Sequence, residues 1–541
     1  MNGEAEMPVP VAPAVPLGPA AVQAAPALPA ITPLRIKSFT LCDFRAFAGP
    51  EPVTIDLDGN NLLIYGENGA GKSSIFHALD EFFALPRPDS NAASRQARFT
   101  ELRNKFSHLA DDIGYVEMTF VGSEAAIRWN HTRHPIDTET GSEQSIVNGA
   151  YRKAVLDYRA LLETNYRHGN GTINLFEISV HVLLRDYPVV HQGKEERLFD
   201  LWQRLQSYLK RGKIGKKEIT EINDLSASFN TGLRDALDLL RPKVDVLLDD
   251  LGWKDLRLTA LTTPGITYNQ AGSKSARNFD GREVTPTVEF RGIAPTTPQS
   301  FLNEARLSAL ALAIYFSGRQ VCAATLQTDT PRLMILDDVL IGLDQSNRMP
   351  VLDLLAKHFK DWQIILLTHD RVWFEMARAY HRNAKADKFW RYAKVHSNDD
   401  PTRAPTISAI GSSAASEALS DARAFLKDGH INAAGNYARI ANELALREFC
   451  ERKKVKVAYQ QLPDKTPASD LLTAAREFSK SQCNGHYDVP LSTIEMYASI
   501  LLNQLSHGGI PTVTHHEVLG AINAVDSLLF AVGVVPTGTK Q

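Results

Sequence analysis

The sequence has 541 residues, a formal net charge of −3 and 44% hydrophobic residues, which is typical of a globular protein with two or more domains. A chain so close to neutrality has no global attraction to nucleic acid or to a membrane surface, so any such surface must be local. The four cysteines are scattered, with no pair at metal-ligand or redox spacing, which favours a reducing cytosol. No apolar run approaches the ~18 residues of a membrane span. We therefore expect a cytoplasmic protein that acts without a membrane.

The first 33 residues are predicted to be a disordered tail. They contain eight prolines and no lysine or arginine. A secretory signal needs a basic start and an unbroken apolar stretch, and this segment has neither. Its composition instead favours polyproline II conformations.

A phosphate-binding loop follows the first predicted strands. Alternating apolar residues predict strands over 35–41 and 53–57, a buried strand over 61–65 and an amphipathic helix over 73–83. The residues that we assign to ATP binding here are Gly66, Glu67, Asn68, Gly69, Ala70, Gly71, Lys72, Ser73 and Ser74.

The chemistry of this loop comes from its glycines and from its last residues. Glycines let successive N–H groups turn towards the β- and γ-phosphates, and the following helix adds its positive end. Lys72 supplies a charge for the β/γ oxygens and is assigned a catalytic role, and the Ser73 hydroxyl is placed to bind Mg²⁺. The loop, preceded by a strand and followed by a helix, predicts binding of a nucleoside triphosphate.

The middle of the chain is predicted to be mainly helical. Antiparallel strands over 114–120 and 125–129 precede a stretch, 145–187, whose pattern indicates mostly helix. Helices over 195–210 and 220–251, joined by a basic tip at 210–217, form a short hairpin of ~25 Å.

Two later strands end in polar residues of the kind that ATP hydrolysis needs. Residues 333–336 are an unbroken apolar run that ends at Asp337 and Asp338, and a second buried strand ends at His369. One carboxylate can hold Mg²⁺, the metal role assigned to Asp337, and the second, Asp338, can orient the attacking water. His369 would contact the γ-phosphate, since ligands bind at the carboxyl edge of parallel sheets. Taken alone, two acids at the end of a strand are commonly mere surface charge, and a lone histidine there is more often an ordinary residue whose hydrogen bonds are satisfied.

Asn303 is placed to cap an apolar helix that starts at Glu304. The free N–H groups of such a helix start are another phosphate site. Two anion-binding helix starts on one chain indicate two copies that meet head to tail and close each other's nucleotide. An ordinary capped core helix is the alternative.

This ordered set resembles the ABC-type ATPases of the RecF/SMC superfamily over about 34–130 and 285–385. The matching segments are FRAF at 44–47, FLNEARLS at 301–308, LDDVLIGLD at 336–344 and LTHD at 367–370. The resemblance implies an α/β fold, a P-loop ABC-type ATPase head with a short helical-hairpin insertion followed by an all-α helical bundle. It also implies ATP and Mg²⁺ as cofactors and a homodimer or higher oligomer.

The resemblance also assigns roles to single residues. Asp338 becomes the catalytic acid, Asp344 signals across the dimer, and Asn303 and Arg306 act on the partner's nucleotide, while Arg45 of the FRAF segment joins the ATP-binding set. The family often has glutamate where Asp338 stands, so turnover is expected to be slow. The Q-loop glutamine is not placed by any pattern, and Gln144 is its one candidate.

The C-terminal part is predicted to contain five helices, over 416–428, 432–453, 468–479, 492–507 and 515–530. Arg439 and Glu443 share a face of the second helix, and His507 ends the fourth. These three side chains could cleave RNA by acid–base chemistry. A surface ion pair and a histidine at a helix end are the alternative.

An ABC-type head followed by such a bundle resembles the anticodon nucleases of the PrrC and RloC type, whose bundle is of the HEPN kind. The HEPN arginine expected before the histidine is absent from 500–506. Short-armed heads of this sort are also similar to PtuA of the Septu anti-phage module, which works with a separate nuclease subunit. The resemblances imply a defence ATPase that gates a nuclease, in its own chain or in a partner, with DNA or tRNA as possible nucleic acids.

The chain is therefore expected to divide into six parts: a tail (1–33), an N-lobe (34–144), a helical insertion (145–253), a C-lobe (254–398), a linker (399–413) and a C-terminal HEPN-like domain (414–541). A RecF-like ATPase of DNA maintenance is the main alternative function. A transporter motor fits least, because no segment for coupling to a membrane subunit is evident.

Overall fold

The computed structural model describes residues 34–84, 92–110, 112–123, 125–136, 143–157, 173–211, 214–270, 276–324, 331–410, 413–458, 466–498 and 513–534. The predicted tail and His507 lie outside these ranges.

The N-terminal part of the chain contributes strands to two sheets. Its elements are β1 (Ile36–Cys42), β2 (Val53–Asp56), β3 (Asn61–Gly66), α1 (Lys72–Phe82), α2 (Ala92–Leu102), β4 (Tyr115–Phe120), β5 (Ile127–Asn130), α3 (Gln144–Arg152) and β6 (Ala154–Asp157). Strands β2, β1, β4 and β5 form an antiparallel sheet in that order. Every second residue of β4 is buried, as expected for a sheet with one face on the core.

The middle part follows a short helix, Phe176–Ile178, and a π-helix, Ser179–Leu183. Its elements are β7 (Pro188–His191), β8 (Lys194–Arg197), α4 (Leu198–Leu209), α5 (Lys216–Asp250), β9 (Leu256–Thr262), β10 (Thr267–Asn269), β11 (Asn278–Asp280) and β12 (Thr285–Phe290). The predicted hairpin is α4 with α5, and α5 runs on through Pro242. Its apolar face shares one core with the next long helix rather than standing out in solvent.

The third part completes the central sheet. After a short helix, Pro298–Phe301, its elements are α6 (Glu304–Ala324), β13 (Leu333–Asp337), α7 (Gln345–His358), β14 (Gln363–Thr368), α8 (Arg371–Asn383), β15 (Trp390–His396) and β16 (Thr406–Ile410). The six strands of this sheet lie in the order β16-β15-β3-β14-β13-β6. All neighbours are parallel except β15 and β16. Apolar cores cover both faces, which explains the unbroken apolar runs of β13 and β14.

The parallel arrangement positions the functional residues. Strands β3, β13 and β14 point the same way, so the loops after Gly66, Asp337 and Thr368 all leave one edge of the sheet. This edge is where open α/β sheets bind ligands. The α/β fold expected from the sequence is confirmed.

Helix α6 is the apolar helix that the sequence predicts to start at Glu304. Among the described residues it is the one helix long and apolar enough to cross a membrane, but 83% of its most apolar window is buried inside the protein. It therefore behaves as the core helix of the head.

The C-terminal part is a bundle around its own apolar core. Its helices are α9 (Ala414–Lys427), α10 (Ile431–Lys453), α11 (Ala468–Gln482), α12 (Asp488–Tyr497) and α13 (His515–Ala531). Ser413 caps α9 through the Ser416 N–H, and Thr514 with Glu517 forms a capping box at α13, which explains where these helices begin.

One part of the prediction for residues 145–187 is wrong. The described residues are helical over Gln144–Arg152, Phe176–Ile178 and Ser179–Leu183, as expected, but Ala154–Asp157 is strand β6, paired in parallel with β13. Leu156 is buried there because it faces the core of the sheet, and the tertiary pairing overrides its local preference. Residues 158–172 of the same stretch lie outside the described residues.

Candidate functional site

The phosphate loop lies between β3 and α1, as the sequence predicts. Gly69 and Gly71 have φ of 85° and 107°, conformations that side chains rarely tolerate. The Lys72 ammonium folds back along the loop, where its Nζ donates to the carbonyls of Gly66, at 2.7 Å, and Glu67, at 3.1 Å. Burial lowers the Lys72 pKa, and the nearby charges of Asp338 and Asp337 oppose that shift. The loop therefore holds a buried cation close to both carboxylates.

The FRAF segment packs directly on this loop. The Ser74 hydroxyl accepts a hydrogen bond from the Ala46 N–H at 3.2 Å, so Ser74 fixes the neighbouring segment, while Ser73 is exposed at the start of α1. Arg45 has a φ of 51°, and its Nε is buried without a hydrogen-bond partner among the described residues. A guanidinium N–H without a partner can donate a charge-assisted hydrogen bond to a phosphate oxygen.

A cavity of about 480 Å³ opens beside the loop. Arg45, Gly69 and Ser74 line one side of it, and the segment between β15 and β16 lines another, through Asn398 and Pro405. Its volume falls in the range of small-molecule sites. If the loop holds the phosphates of a nucleotide, this cavity lies where the remainder of that nucleotide is expected.

Asp338 and His369 meet at the carboxyl edge of the sheet. Asp338 has a φ of 54°, a strained backbone that is typical of functional positions. Its Oδ1 accepts the His369 backbone N–H at 3.0 Å and lies 2.9 Å from His369 Nδ1. The residues predicted to orient water and to contact the γ-phosphate are thus adjacent.

Asp337 has the surroundings of a cation ligand. Burial, together with the charge of Asp338, raises its pKa to about 7, although the charge of Lys72 opposes the rise. Its Oδ1 is buried with no hydrogen-bond partner among the described residues. A divalent cation would satisfy that oxygen, so the residue fits Mg²⁺. The described residues hold no group of three metal-ligating side chains, so nucleotide oxygens and water would complete the coordination, as is usual for Mg²⁺.

Asp157 is a neighbour that the sequence did not reveal. It ends β6 and lies in register with Asp337 on β13, and its charge adds to the rise in the Asp337 pKa. Only the sheet register, which no local pattern specifies, places it there. Gln144 lies instead at the start of α3, where its side chain donates to Asn148 at 2.8 Å.

The second predicted anion site is the start of α6. Asn303 Oδ1 accepts the Arg306 backbone N–H at 3.0 Å, so the predicted cap is confirmed. Asn303 and Asp344 line one groove of about 490 Å³. None of residues 66–73, all of which the structure describes, lines that groove. The helix start and the phosphate loop of one chain therefore open onto different cavities.

Two further contacts connect these segments. Arg348 donates to the Leu343 carbonyl at 2.8 Å and pairs with Asp370 at 2.6 Å, which joins the segment of Asp344 to the segment of His369. Asp370 also caps α8 through the Trp373 N–H. Its place directly before a helix is a sequence signal for that cap, whereas its pairing with Arg348 carries no such signal.

The C-terminal residues suggested for RNA cleavage are partly described. Arg439 and Glu443 form an ion pair at 2.8 Å on α10 and line a groove of about 730 Å³ with α11 and α12. Three cationic side chains of that groove face three carboxylates: Arg439, Arg476 and Lys480 against Glu443, Glu477 and Glu495. This balanced charge gives no general attraction to a polyanion.

Comparison with known proteins adds a family match. The model of the RecF/RecN/SMC N terminal domain matches residues 35–389, about two thirds of the chain. Among solved structures, RecF with ATP has a TM-score of 0.43 at 13% identity, with 71% of this chain and 99% of that chain covered.

Two SMC heads give similar comparisons. An Smc head domain with an extended coiled coil from Pyrococcus furiosus, bound to the C-terminal domain of ScpA, has a TM-score of 0.36 at 14% identity and covers 73% of this chain and 100% of that chain. The SMC head domain from Thermotoga maritima has a TM-score of 0.30 at 15% identity, with 70% and 99% covered. No curated protein sequence matches significantly.

Proposed function

The chain belongs to the RecF/RecN/SMC N-terminal domain family, and on that premise we propose that it is a cytoplasmic, Mg²⁺-dependent ATPase whose two copies close on ATP. Members of this family are ATPases. The observation that carries the proposal is the meeting of the phosphate loop, Asp337, Asp338 and His369 at one edge of the central sheet.

The residues have distinct tasks in this reaction. Lys72 and the loop N–H groups would hold the β- and γ-phosphates, and Ser73 and Asp337 would hold Mg²⁺, which neutralises charge on the transferred phosphoryl group. Asp338 would orient the attacking water, and His369, 2.9 Å from it, would bind the γ-phosphate. Asn303 and Asp344 would act on the nucleotide of the second copy, since the groove that they share is not lined by their own phosphate loop. Arg306, whose backbone N–H donates to Asn303, would act there with them.

A pair of substitutions tests the closed dimer. We expect Lys72→Ala to lose ATP binding, because the buried ammonium is the loop's cation. Asp338→Asn keeps the Oδ1 that accepts from His369, so this variant should bind ATP, hydrolyse it poorly and accumulate as a dimer. Equilibrium dialysis and mass photometry with and without ATP report both properties. An Asp338→Asn variant that neither retains ATP nor changes mass would contradict the mechanism.

The C-terminal bundle is the part of the chain through which ATP binding in the head would act on a nuclease. It lies beyond the residues that the family model matches, and Glu417 at its first helix pairs with Lys394 and Arg378 of the head. We propose that nucleotide state in the head gates a nuclease in bacterial anti-phage defence, through this bundle or a partner subunit docked on it. The support for defence is the resemblance of a short-armed head with a bundle to such modules.

Expression with and without the product of the neighbouring gene, under phage challenge, tests this role. Protection that needs both Lys72 and a neighbouring nuclease would support gating in a partner. ATPase activity stimulated by DNA, without protection or nucleic-acid cleavage, would favour RecF-like DNA maintenance instead. If the bundle itself cleaves tRNA, Arg439→Ala and His507→Ala should each abolish cleavage and leave ATP hydrolysis intact.

A further inference from the structure

The side chain of Arg306 rests on two aromatic rings at the start of α6. Its guanidinium carbon lies 4.6 Å from the centre of the Phe290 ring and 5.5 Å from that of the Trp253 ring. Both distances are within the ~6 Å over which a cation is attracted to an aromatic face. Neither aromatic residue was singled out by the sequence.

The backbone fixes both rings from separate elements. Trp253 follows α5 through Gly252, whose φ is 85°, and its N–H bonds to the Leu248 carbonyl at 2.8 Å. Phe290 ends β12 in register with Leu256 of β9, and its N–H donates to the Ile293 carbonyl at 2.8 Å. The paired strands β9 and β12 and the hydrogen-bonded end of α5 therefore hold the two rings in place.

The two aromatic rings do not neutralise the charge of Arg306. Within the described part of the chain, no carboxylate pairs with its guanidinium, and its Nε is buried without a hydrogen-bond partner. Most arginines of the head have such a partner, as Arg348 has Asp370. Aromatic faces attract a guanidinium without cancelling its charge, so the group stays available to an anion.

We infer that Trp253 and Phe290 are positioning residues that hold Arg306 ready for the terminal phosphate of the nucleotide bound by a second copy of this chain. This rests on the proposed dimer. The Arg306 backbone N–H is already used by the Asn303 cap, so the side chain is the part of this residue left for the ligand. An oriented cation lowers the entropic cost of each contact with phosphate.

Phe290→Leu removes the ring that lies nearer the guanidinium, and Phe290→Tyr is the matched control that keeps an aromatic face. In the Asp338→Asn background, we expect Phe290→Leu to weaken ATP-dependent dimerisation on the order of tenfold, a typical value for a partly desolvated cation–π contact. Phe290→Tyr should restore the dimer. ATP binding by the monomer should be unchanged in both. Trp253→Leu and Trp253→Phe form a second, independent pair.

Mixing variants separates action across the dimer from a structural role. Lys72→Ala subunits cannot bind ATP but keep both aromatic rings beside Arg306. Phe290→Leu subunits bind ATP but lack the nearer ring. A mixed dimer would contain one complete site, so ATPase activity should exceed that of either variant alone. No gain on mixing, or equal dimerisation by the Asp338→Asn protein with and without Phe290→Leu, would overturn the inference. Failure of the Asp338→Asn protein itself to dimerise with ATP would instead overturn the proposed function.

Discussion

At the scale of single residues, burial changes the protonation of groups that the fold depends on. His381 of α8 stacks on Trp390 with ring centres 4.3 Å apart, and its Nδ1 lies 3.1 Å from the Tyr392 hydroxyl. Burial lowers its pKa to about 4 from an ordinary 6.5. The folded head therefore holds this histidine neutral between α8 and β15.

This shift predicts loss of stability in acid. The folded pKa is below the unfolded one, so the full contribution is present above pH 6.5 and is lost as the pH falls towards 4. A difference of about 2.5 pKa units corresponds to about 3 kcal/mol of unfolding free energy. His381→Gln should remove most of this pH dependence. Urea unfolding at several pH values between 4 and 7.5 measures it, and parallel pH profiles for variant and wild type would refute the assignment.

At the scale of elements, the phosphate loop is sensitive to one glycine through its neighbours. A Cβ at Gly71 would stand 3.2 Å from Cγ of Pro405, in the segment between β15 and β16, and the residue has a φ of 107°. At Gly69, where φ is 85°, a Cβ would meet nothing within 4 Å. Both positions carry backbone strain for alanine, but only Gly71 adds a contact with another segment.

We therefore expect Gly71→Ala to weaken ATP binding and to lower the free energy of unfolding. Each loss should exceed the cost of a left-handed backbone alone, which is about 1–2 kcal/mol. The double variant Gly71→Ala/Pro405→Ala should recover the part that comes from the contact and keep the part that comes from strain. Isothermal calorimetry and thermal unfolding of the three proteins separate the two contributions. Equal affinities for the single and double variants would show that the segment of Pro405 does not press on the loop.

The sequence predicted those elements whose signals are local. The alternation of β1 and β4, the apolar runs of β13 and β14 and the Asn303 cap all lie where their patterns indicate. Strand β6 was missed because four residues at the edge of a sheet carry no period of their own, and their pairing with β13 is long-range. For the same reason, the sequence did not predict the places of Asp157 and Arg348 or the contact of Arg306 with two aromatic rings. Each depends on a contact between separate segments of the chain.

At the scale of the whole molecule, the link between head and bundle is the place where nucleotide state can be transmitted. The segment that lines the cavity beside the phosphate loop leads directly into β16 and α9. On α9, Glu417 pairs with Lys394 of β15 and lies 3.9 Å from Arg378 of α8. Strand β15 is itself the parallel neighbour of β3, which ends at the loop. A short, continuous path thus joins the nucleotide site to the bundle.

Glu417→Gln should weaken this connection while leaving the phosphate loop intact. The pair is only partly buried, with about 20% of each side chain exposed, so we expect a cost of about 1–2 kcal/mol, between surface and buried ion pairs. The bundle should then unfold before the head in calorimetry, and ATP should no longer slow hydrogen exchange in α9 and α10. Glu477→Gln, the same change at an exposed carboxylate of α11, is the control. If the bundle of the Glu417→Gln variant still responds to ATP as the wild type does, the nucleotide state must reach the bundle by a route other than the Glu417 pair.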